Sequence, residues 1–379
     1  MEFRNLKKQY QTLKSDIDEA VGRVLCRADF VSGKEVGELE HALSEFAGVR
    51  HCITCANGTD ALVLALRAWN VGRGDAVFVP DFTFFSSAEA PALCGATPVF
   101  TDIGTDTFNM SPASLERVIQ AVISEGKLVP KAVLAVDLFG QPADYDAIGR
   151  IARRYGLLLL EDGAQGFGGK RGEKRACSFG DIATTSFFPA KPLGCYGDGG
   201  ALFTDHDGWA ALLRSLCVHG KGTDKYENIR IGTNSRLDTL QAAVLLVKLK
   251  QFAETELEAV NAVAQAYRES LLEIEEVRVP CLEEHSYSSW AQFSVLLGDQ
   301  VDRGELQEYL KDAGIPTMVY YPKPLHEQAA FAGCVLYDDM CGAGYCCGHV
   351  LSLPCSPYMD RQEVDLVCDT IAQFMKKRR

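Results

Sequence analysis

Residues 186–200, SFFPAKPLGCYGDGG, place one lysine, Lys191, between two prolines and ahead of a glycine-rich segment. Proline fixes φ and lacks an N–H donor, so Lys191 is predicted to lie in a loop rather than inside a helix or sheet. Apolar, strand-like runs flank the loop at 182–188 and 201–204. A lysine held beside such strands loses solvation, which lowers the pKa of its amine and makes the amine nucleophilic. For a lysine taken alone, a solvated surface turn is the simpler interpretation.

A second informative stretch, residues 54–62 (TCANGTDAL), interrupts an apolar segment and predicts the start of a helix. Asn57, Thr59 or Asp60 is expected to cap that helix. Gly58 and Thr59 at a helix N-terminus present free N–H groups, a hydroxyl and the positive end of the helix dipole, which together suit a phosphate. Most Asn-Gly-Thr sequences are only turns and caps, so this signal is weak by itself.

Short apolar runs alternate with helical patterns from about residue 50 to 205, which predicts a doubly wound, mainly parallel sheet and an α/β fold. One run, 157–160, ends in Glu161 and Asp162, and ligands of open α/β sheets bind beyond the carboxyl ends of the strands. A buried aspartate there can hold the N–H of a pyridinium ring, although solvated loop carboxylates are the simpler alternative. The aromatic residues at 82–85 follow another strand and are usually core, but one of them could stack on a flat ring.

Residues 234–241 are predicted to start an apolar helix that runs to about residue 252, and the pattern changes after it, near residue 254. A large domain over 1–253, which includes the N-terminal segment, is predicted to precede a smaller α+β domain over 254–379. A charged amphipathic helix is expected from about residue 254 to 275 and leads into the smaller domain. The other predicted elements there are strands at 277–279, 292–297, 317–319 and 349–353 and helices near 303–313 and 361–376.

Composition narrows the class of protein. The chain has 379 residues and a formal net charge of −13, which disfavours non-specific binding to nucleic acid or membranes. It shows no apolar run of membrane length and no signal-peptide pattern at its N-terminus, so we expect a cytoplasmic protein. The 14 cysteines are interpreted as buried free thiols, and no metal site is predicted.

Four features combine: a phosphate cradle at a helix start, an aromatic ring, a strand-end aspartate and a lysine in a Pro/Gly loop. Pyridoxal 5′-phosphate requires this set, because the lysine condenses with its aldehyde and the aspartate keeps its ring nitrogen protonated. Any two of these features occur together by chance, whereas all four in this order along an α/β chain are much rarer. The sequence therefore predicts an enzyme that uses this cofactor.

The chain also resembles the DegT/DnrJ/EryC1/StrS nucleotide-sugar aminotransferases over residues 3–358. The resemblance rests on residues 57–62, 80–85, 161–165, 186–200, 234–238 and 321–326. It implies the aspartate-aminotransferase-like fold type I of pyridoxal-phosphate enzymes. Two positions depart from the family pattern: Gly163 stands where alanine is usual, and Tyr320 stands where histidine is expected.

The resemblance implies a role for each site residue. Lys191 would be the catalytic residue, which holds the cofactor and then moves the substrate proton. Arg236 would bind a carboxylate, either that of glutamate or that of a uronate, because its fork suits a bidentate pair. The implied cofactor-binding residues are Gly58, Thr59, Phe84, Asp162, Gln165, Ser186, Lys191 and Asn234, the last reaching the cofactor of a neighbouring subunit. The implied substrate-binding residues are Arg236, Tyr320, Tyr321 and His326, for which structural packing is the alternative.

The implied reaction moves an amino group from L-glutamate to a keto-sugar nucleotide. The expected acceptor is C3 of UDP-2-acetamido-2-deoxy-3-oxo-D-glucuronate, which would supply surface polysaccharide or lipopolysaccharide synthesis. A neutral 3-keto UDP-GlcNAc or a dTDP-keto-6-deoxyhexose is the alternative acceptor. We expect a homodimer with its active site at the subunit interface and no nucleic-acid or membrane partner. A non-catalytic regulator on the same fold is the alternative from another class, and it would predict loss of the lysine or the aspartate.

Overall fold

A computed structural model describes residues 1–224 and 226–378, without the side chain of Arg378. Its helices are α1 (Leu6–Arg27), α2 (Lys34–Ala47), α3 (Gly58–Ala68), α4 (Ser86–Leu93), α5 (Pro112–Glu125), α6 (Tyr145–Tyr155), α7 (Asp207–Leu216), α8 (Thr239–Gln251), α9 (Leu257–Leu271), α10 (Arg303–Asp312), α11 (Cys341–His349) and α12 (Arg361–Arg378). Its strands are β1 (His51–Cys55), β2 (Asp75–Pro80), β3 (Thr97–Thr101), β4 (Val129–Val136), β5 (Leu158–Asp162), β6 (Lys170–Arg171), β7 (Lys174–Arg175), β8 (Ile182–Ser186), β9 (Gly200–Thr204), β10 (Val277–Arg278), β11 (Ser286–Tyr287), β12 (Phe293–Leu297) and β13 (Val350–Leu353).

Seven strands form the central sheet in the order β1-β9-β8-β5-β4-β2-β3. The neighbours from β8 to β3 run parallel, and β9 runs antiparallel to both β8 and β1. This confirms the mainly parallel α/β fold, with one reversed strand. Asp162, the last residue of β5, lies opposite Val136 of β4 and Thr184 of β8. The carboxyl ends of these strands therefore share one edge of the sheet, where ligands of open α/β sheets bind.

Helices cover both faces of this sheet. In β2, Val77 and Val79 belong to the apolar cluster that includes α3, whereas Ala76 and Phe78 belong to the cluster that includes α5 and α6. Side chains alternate between the two faces of a strand, so this one strand contributes residues to both clusters. Burial on both faces explains why the strands of this sheet are continuously apolar in sequence.

The helix predicted after residue 54 begins at Gly58. The side chain of Asn57 accepts a hydrogen bond of 2.8 Å from the backbone N–H of Asp60, so Asn57 is the cap among the three candidates. A cap of this kind satisfies one of the first free N–H groups of a helix. The backbone N–H groups of Gly58 and Thr59 point out of the same end of α3.

A second core lies in the C-terminal third of the chain. The antiparallel sheet β10-β12-β13 packs there with α9, α10 and α12. Two predictions in this region need correction. Residues 317–319 are not a strand, because Met318 makes only a single bridge to Ser352. The helix predicted from 254 to 275 is α9, and the π-helical segment Phe252–Glu256 precedes it. Residues of this third also enter the large core, among them Leu325 and Met340. The domain boundary at 253/254 stays a prediction.

Among the helices over residues 1–224 and 226–378, none is both long enough and apolar enough to cross a bilayer.

Gly168→Ala tests the packing between the large core and the π-helical segment. Gly168 has φ of +95°, and an added Cβ would lie 2.6 Å from Phe252 Cζ and 2.9 Å from Leu257 Cδ2. Gly172 is the matched control, because it also has a positive φ of +58° but has open space around its Cα. We expect Gly168→Ala to lower the free energy of unfolding by about 1–3 kcal/mol more than Gly172→Ala, since only the first adds a steric clash. Thermal unfolding at one scan rate measures the difference, and equal midpoints would contradict the packing described.

Candidate active site

Lys191 lies in a loop that leaves β8 and returns to β9. The backbone N–H of Lys191 donates to the carbonyl of Phe188 at 2.8 Å, which closes a tight turn. A Cβ on Gly194 would lie 2.4 Å from the carbonyl oxygen of Pro189, so only glycine lets the loop fold back on itself. The predicted loop position of Lys191 is confirmed.

The amine of Lys191 faces the carboxylate of Asp162. Burial lowers the pKa of Lys191, and the charge of Asp162 partly offsets this. Burial raises the pKa of Asp162, and Lys191 again opposes the shift, together with hydrogen bonds of 3.1 Å from Ser87 Oγ and the Ala164 N–H. Within the described part of the chain, the amine of Lys191 has no hydrogen-bond partner. A partly buried amine without a partner, beside a buried carboxylate, suits condensation with an aldehyde.

The turn after Asp162 is tightly packed. A Cβ on Gly163 would lie 2.7 Å from Cys177 Sγ and 3.2 Å from the carbonyl oxygen of Thr184. The alanine expected at this position would therefore crowd the thiol of Cys177, which already fills the space.

Hydroxyl groups gather at the N-terminus of α3. A Cβ on Gly58 would lie 2.7 Å from Ser186 Cβ, so the start of α3 lies directly against the end of β8. Thr59 Oγ1 is 2.8 Å from Ser86 Oγ at the start of α4. A helix N-terminus with three hydroxyls around it is a suitable site for a phosphate.

The residues expected beside the cofactor ring lie on the other side of this cleft. Gln165 Oε1 accepts from the Phe139 N–H at 2.7 Å, and its Nε2 donates to the hydroxyl of Tyr321 at 3.2 Å. The ring of Phe84 is 53% exposed, and its centroid is 6.3 Å from that of Tyr321. An exposed aromatic face beside a polar cleft is available to stack on a flat ligand.

The other two predicted substrate-pocket residues are anchored nearby. His326 Nδ1 is 2.6 Å from Oδ2 of the fully buried Asp81, whose Oδ1 accepts from the His326 N–H at 2.9 Å. The ring of Tyr320 packs edge-on against Tyr321 at 5.8 Å and against Phe3 at 6.2 Å.

Asn234 and Arg236 lie on a loop beside α3 and contact none of these groups. Between them, Ser235 Oγ donates to Asp60 Oδ2 at 2.6 Å and accepts from the Ala56 N–H at 3.0 Å. Asn234 is exposed, and in the part of the chain that the structure describes the guanidinium of Arg236 has no hydrogen-bond or ion-pair partner. The predicted helix start near 234 is corrected to Thr239, so both residues belong to a loop.

Sequence reasoning missed three residues of this site. Ser86 and Ser87 touch Thr59 and Asp162, and two hydroxyl residues at a helix start, separated from the strand β2 by residues 81–85, were a signal that could have found them. Arg4 donates to the carbonyl of Lys191 at 3.2 Å across 187 positions of sequence, and no local pattern could have indicated it.

A pair of buried acids lies behind the site. Asp137 and Glu161 are both fully buried, and Asp137 Oδ1 accepts from the hydroxyl of Tyr145 at 2.7 Å. Asp137 Oδ2 has no donor among the described residues, which is satisfactory only if Asp137 is protonated and donates to Glu161. Burial raises the pKa of Asp137 well above its usual range and that of Glu161 to about 7. A proton shared between the two acids would leave the pair with one negative charge instead of two.

Known proteins match the whole chain. Residues 11–372 match the model of the DegT/DnrJ/EryC1/StrS aminotransferase family. A UDP-2-acetamido-2-deoxy-3-oxo-D-glucuronate aminotransferase from Pseudomonas aeruginosa is 43% identical over 371 residues, which cover 97% of this chain and 98% of that protein. A solved DegT DnrJ EryC1 StrS aminotransferase from Brucella abortus aligns with a TM-score of 0.96 at 44% identity, covering 99% of both chains. NtdA from Bacillus subtilis, solved with bound PMP, aligns with a TM-score of 0.85 at 28% identity, covering 96% of this chain and 82% of that one.

The architecture is that of a fold-type-I pyridoxal-phosphate enzyme. The chain belongs to the DegT/DnrJ/EryC1/StrS aminotransferase family, so it is a sugar-nucleotide transaminase that uses pyridoxal phosphate. This assignment replaces the alternative of a non-catalytic regulator. These residues fit the cofactor, because an amine without a partner among the described residues, a buried carboxylate and a hydroxyl-lined helix N-terminus neighbour one another through Ser86 and Ser87. The individual role of each residue stays a prediction.

The buried acid pair predicts an unusual dependence of stability on pH. Because folding raises the pKa of both acids, the native protein keeps a proton that the unfolded chain loses, so the free energy of unfolding falls as pH rises from about 4 to about 7. Asp137→Asn keeps Oδ1 and places a neutral donor toward Glu161. We expect it to reduce this slope by up to about 1.4 kcal/mol per pH unit.

Denaturant unfolding across this pH range measures the slope. Asp16→Asn is the control, since Asp16 is exposed on α1. Equal slopes for the wild type and Asp137→Asn would show that the two acids do not share a proton.

Proposed function

We propose that the enzyme transfers the amino group of L-glutamate to C3 of UDP-2-acetamido-2-deoxy-3-oxo-D-glucuronate, for surface polysaccharide synthesis. The observation that carries this proposal is the 43% identity, over nearly the full length of both chains, to the aminotransferase named for that sugar. A neutral 3-keto UDP-GlcNAc or a dTDP-keto-6-deoxyhexose is the alternative acceptor. Tyr320 stands where we expected histidine, so the preference for one sugar over another is the part of this proposal that the first experiment tests.

We assign the cofactor's phosphate to the N-terminus of α3, with Gly58, Thr59 and Ser186, and its ring to the space between Asp162 and Phe84. When bound, pyridoxal phosphate supplies a ring that stabilises negative charge on the substrate carbon. Burial raises the pKa of Asp162, and the hydrogen bonds from Ser87 and Ala164 oppose that rise and so favour its carboxylate form, which would hold a proton on the ring nitrogen.

The amine of Lys191 moves the substrate proton. Its lowered pKa keeps a larger fraction of the amine neutral near pH 7, and only the neutral amine can accept a proton. Because the loop is fixed by backbone hydrogen bonds and prolines, the amine returns to one place after each transfer.

Arg236 is the proposed carboxylate-binding residue. Its guanidinium has no partner among the described residues, while Ser235 beside it is tied to α3. An unpaired guanidinium on an anchored loop is prepared for a bidentate carboxylate. Both the donor glutamate and a uronate acceptor carry such a group.

A homodimer would complete the site. Several large apolar side chains near the cleft and the 219–235 loop are exposed, including Phe188 (53%), Leu93 (65%) and Ile231 (84%). Apolar exposure on this scale indicates a surface that another chain covers. We propose that a second copy covers it and that Asn234 of each copy reaches the phosphate of the other copy's cofactor.

Turnover of a sugar panel tests the substrate. The panel holds 3-keto and 4-keto nucleotide sugars with and without a carboxylate at C6, with L-glutamate as donor and mass spectrometry of the aminated sugar as readout. We expect the 3-keto uronate to give a kcat/KM at least about tenfold above the neutral sugar, because one charge-assisted pair contributes about 1.5–3 kcal/mol. Lys191→Ala should abolish turnover. Preference for a neutral or 4-keto sugar would refute the uronate assignment.

Arg236→Gln separates the two carboxylates. If Arg236 binds the sugar, the variant loses preference for the uronate while its half-reaction with glutamate is unchanged. If Arg236 binds glutamate, the first half-reaction slows about 10- to 100-fold and sugar preference stays. Single-turnover absorbance of the cofactor with glutamate alone reports the first half-reaction. A variant that changes neither would remove Arg236 from the site.

Mixed dimers test the shared site. Lys191→Ala and Asn234→Glu should each be inactive alone, the second because a carboxylate would repel the phosphate. After the two variants exchange subunits, a site with Lys191 from one copy and Asn234 from the other is intact, so about a quarter of wild-type activity should return. Light scattering checks that dimers form. Recovery no greater than the sum of the two variants would mean that each site is built from one chain.

A further inference from the structure

Two cations hold the loop of Lys191 through its carbonyl oxygens. Arg4 Nη2, from the segment before α1, donates to the carbonyl of Lys191 at 3.2 Å. Lys248 Nζ, from α8, donates to the carbonyl of Gly194 in the same loop. Neither donor is near the loop in sequence, so the loop is clamped from two separate elements.

Arg4 also joins the loop to the C-terminal third of the chain. Its Nη1 donates to the carbonyl of Ala291 at 3.2 Å. The adjacent Phe3 packs edge-on against Tyr320 at 6.2 Å, and its carbonyl accepts from the Cys355 N–H at 3.3 Å. The N-terminal segment therefore connects the lysine loop with Tyr320, which we place in the sugar pocket.

One acid, Glu256, attracts both cations beneath the loop. Lys248 is 1% exposed, and burial lowers its pKa to about 8. Glu256, 5% exposed, attracts both Lys248 and Arg4, and its Oε1 accepts from Gln9 Nε2 at 2.9 Å and from the hydroxyl of Tyr358 at 2.5 Å. This attraction and the carbonyl acceptors of the loop lower the free-energy cost of keeping the buried Lys248 and the partly buried Arg4 charged.

We propose that Arg4 is a positioning residue for Lys191, which both fixes the lysine's backbone and places a positive charge beside its amine, whereas Lys248 fixes the loop alone. The inference rests on the proposed role of Lys191 as the residue that holds the cofactor. It adds that Arg4, which is distant in sequence, influences the pH range in which the amine of Lys191 is neutral.

The charges that face the amine support this division. Asp162 raises the pKa of Lys191 and Arg4 lowers it, in addition to the effect of burial. Arg4 is itself faced by Glu256, Cys355 and Tyr320, which act on its guanidinium. Loss of the charge at Arg4 should therefore raise the pKa of Lys191. Loss of Lys248 should loosen the loop without that effect.

Competitive labelling of Lys191 measures this directly. The full-length protein, freed of cofactor with hydroxylamine, is labelled with trace acetic anhydride over a pH series, and the modified peptide is quantified by mass spectrometry. In Arg4→Met the labelling midpoint of Lys191 should move to higher pH, and the labelling rate at pH 8 should fall about 3- to 10-fold. Arg4→Lys should restore the wild-type profile, since it keeps the charge.

Two further variants separate charge from geometry. Arg4→Gln keeps a donor for the Lys191 carbonyl but has no charge, so it should shift the profile as Arg4→Met does and serves if the methionine variant does not fold. Lys248→Met should leave the profile unchanged and weaken cofactor retention. Arg23→Met, on the exposed face of α1, is the control and should change neither.

An unchanged midpoint in both Arg4→Met and Arg4→Gln, or an equal shift in Lys248→Met, would overturn the inference. A separate result addresses the proposed function: if acetylated Lys191 still allowed the cofactor to bind covalently, the role of Lys191 would fail while the comparison of labelling profiles would stand. The two failures are therefore distinguishable.

Discussion

The site depends on the electrostatic attraction between the buried carboxylate of Asp162 and the partly buried amine of Lys191, which opposes the effect of burial on both groups. Burial alone would neutralise both Asp162 and Lys191, and each charge partly restores the other. Hydrogen bonds from Ser87 and Ala164 favour the ionised carboxylate further, while the charge of Arg4 favours the neutral amine. The pKa of the amine is thus lowered and that of the carboxylate raised, which are the directions that favour proton transfer between the amine and a substrate. The sheet makes this possible, because its parallel strands end at one edge.

Local signals were sufficient for most of the fold. Asn57 before a helical pattern and the apolar run that ends at Asp162 correctly predicted the start of α3 and the end of β5, because caps and strand ends depend on neighbouring residues. Residues 317–319 have an equally strand-like sequence, but only one bridge forms there. Whether an extended segment becomes a strand depends on a partner strand, and sequence alone does not show that partner.

In the candidate site, too, the residues marked by local sequence signals were predictable, and those that depend on distant contacts were not. Lys191 and Asp162 were found because proline, glycine and a strand end mark their own positions. Ser87 and Arg4 act on them across 75 and 187 positions, and such contacts leave no periodic trace in sequence. The proposed roles of Asn234 and Arg236 depend on a second copy of the chain or on substrate, so one chain by itself cannot display them.

The thiol packed against Gly163 has a consequence for how this turn can be altered by substitution. Since Cys177 Sγ occupies the volume that a methyl group at 163 would need, the two positions are not free to vary independently. Alanine at 163 alone would overpack the turn beside the proposed coenzyme site, whereas a smaller side chain at 177 would make room for the added methyl group. The free-energy effects of substitutions at 163 and 177 are therefore expected to be non-additive, and a redesign of this turn has to change both positions together.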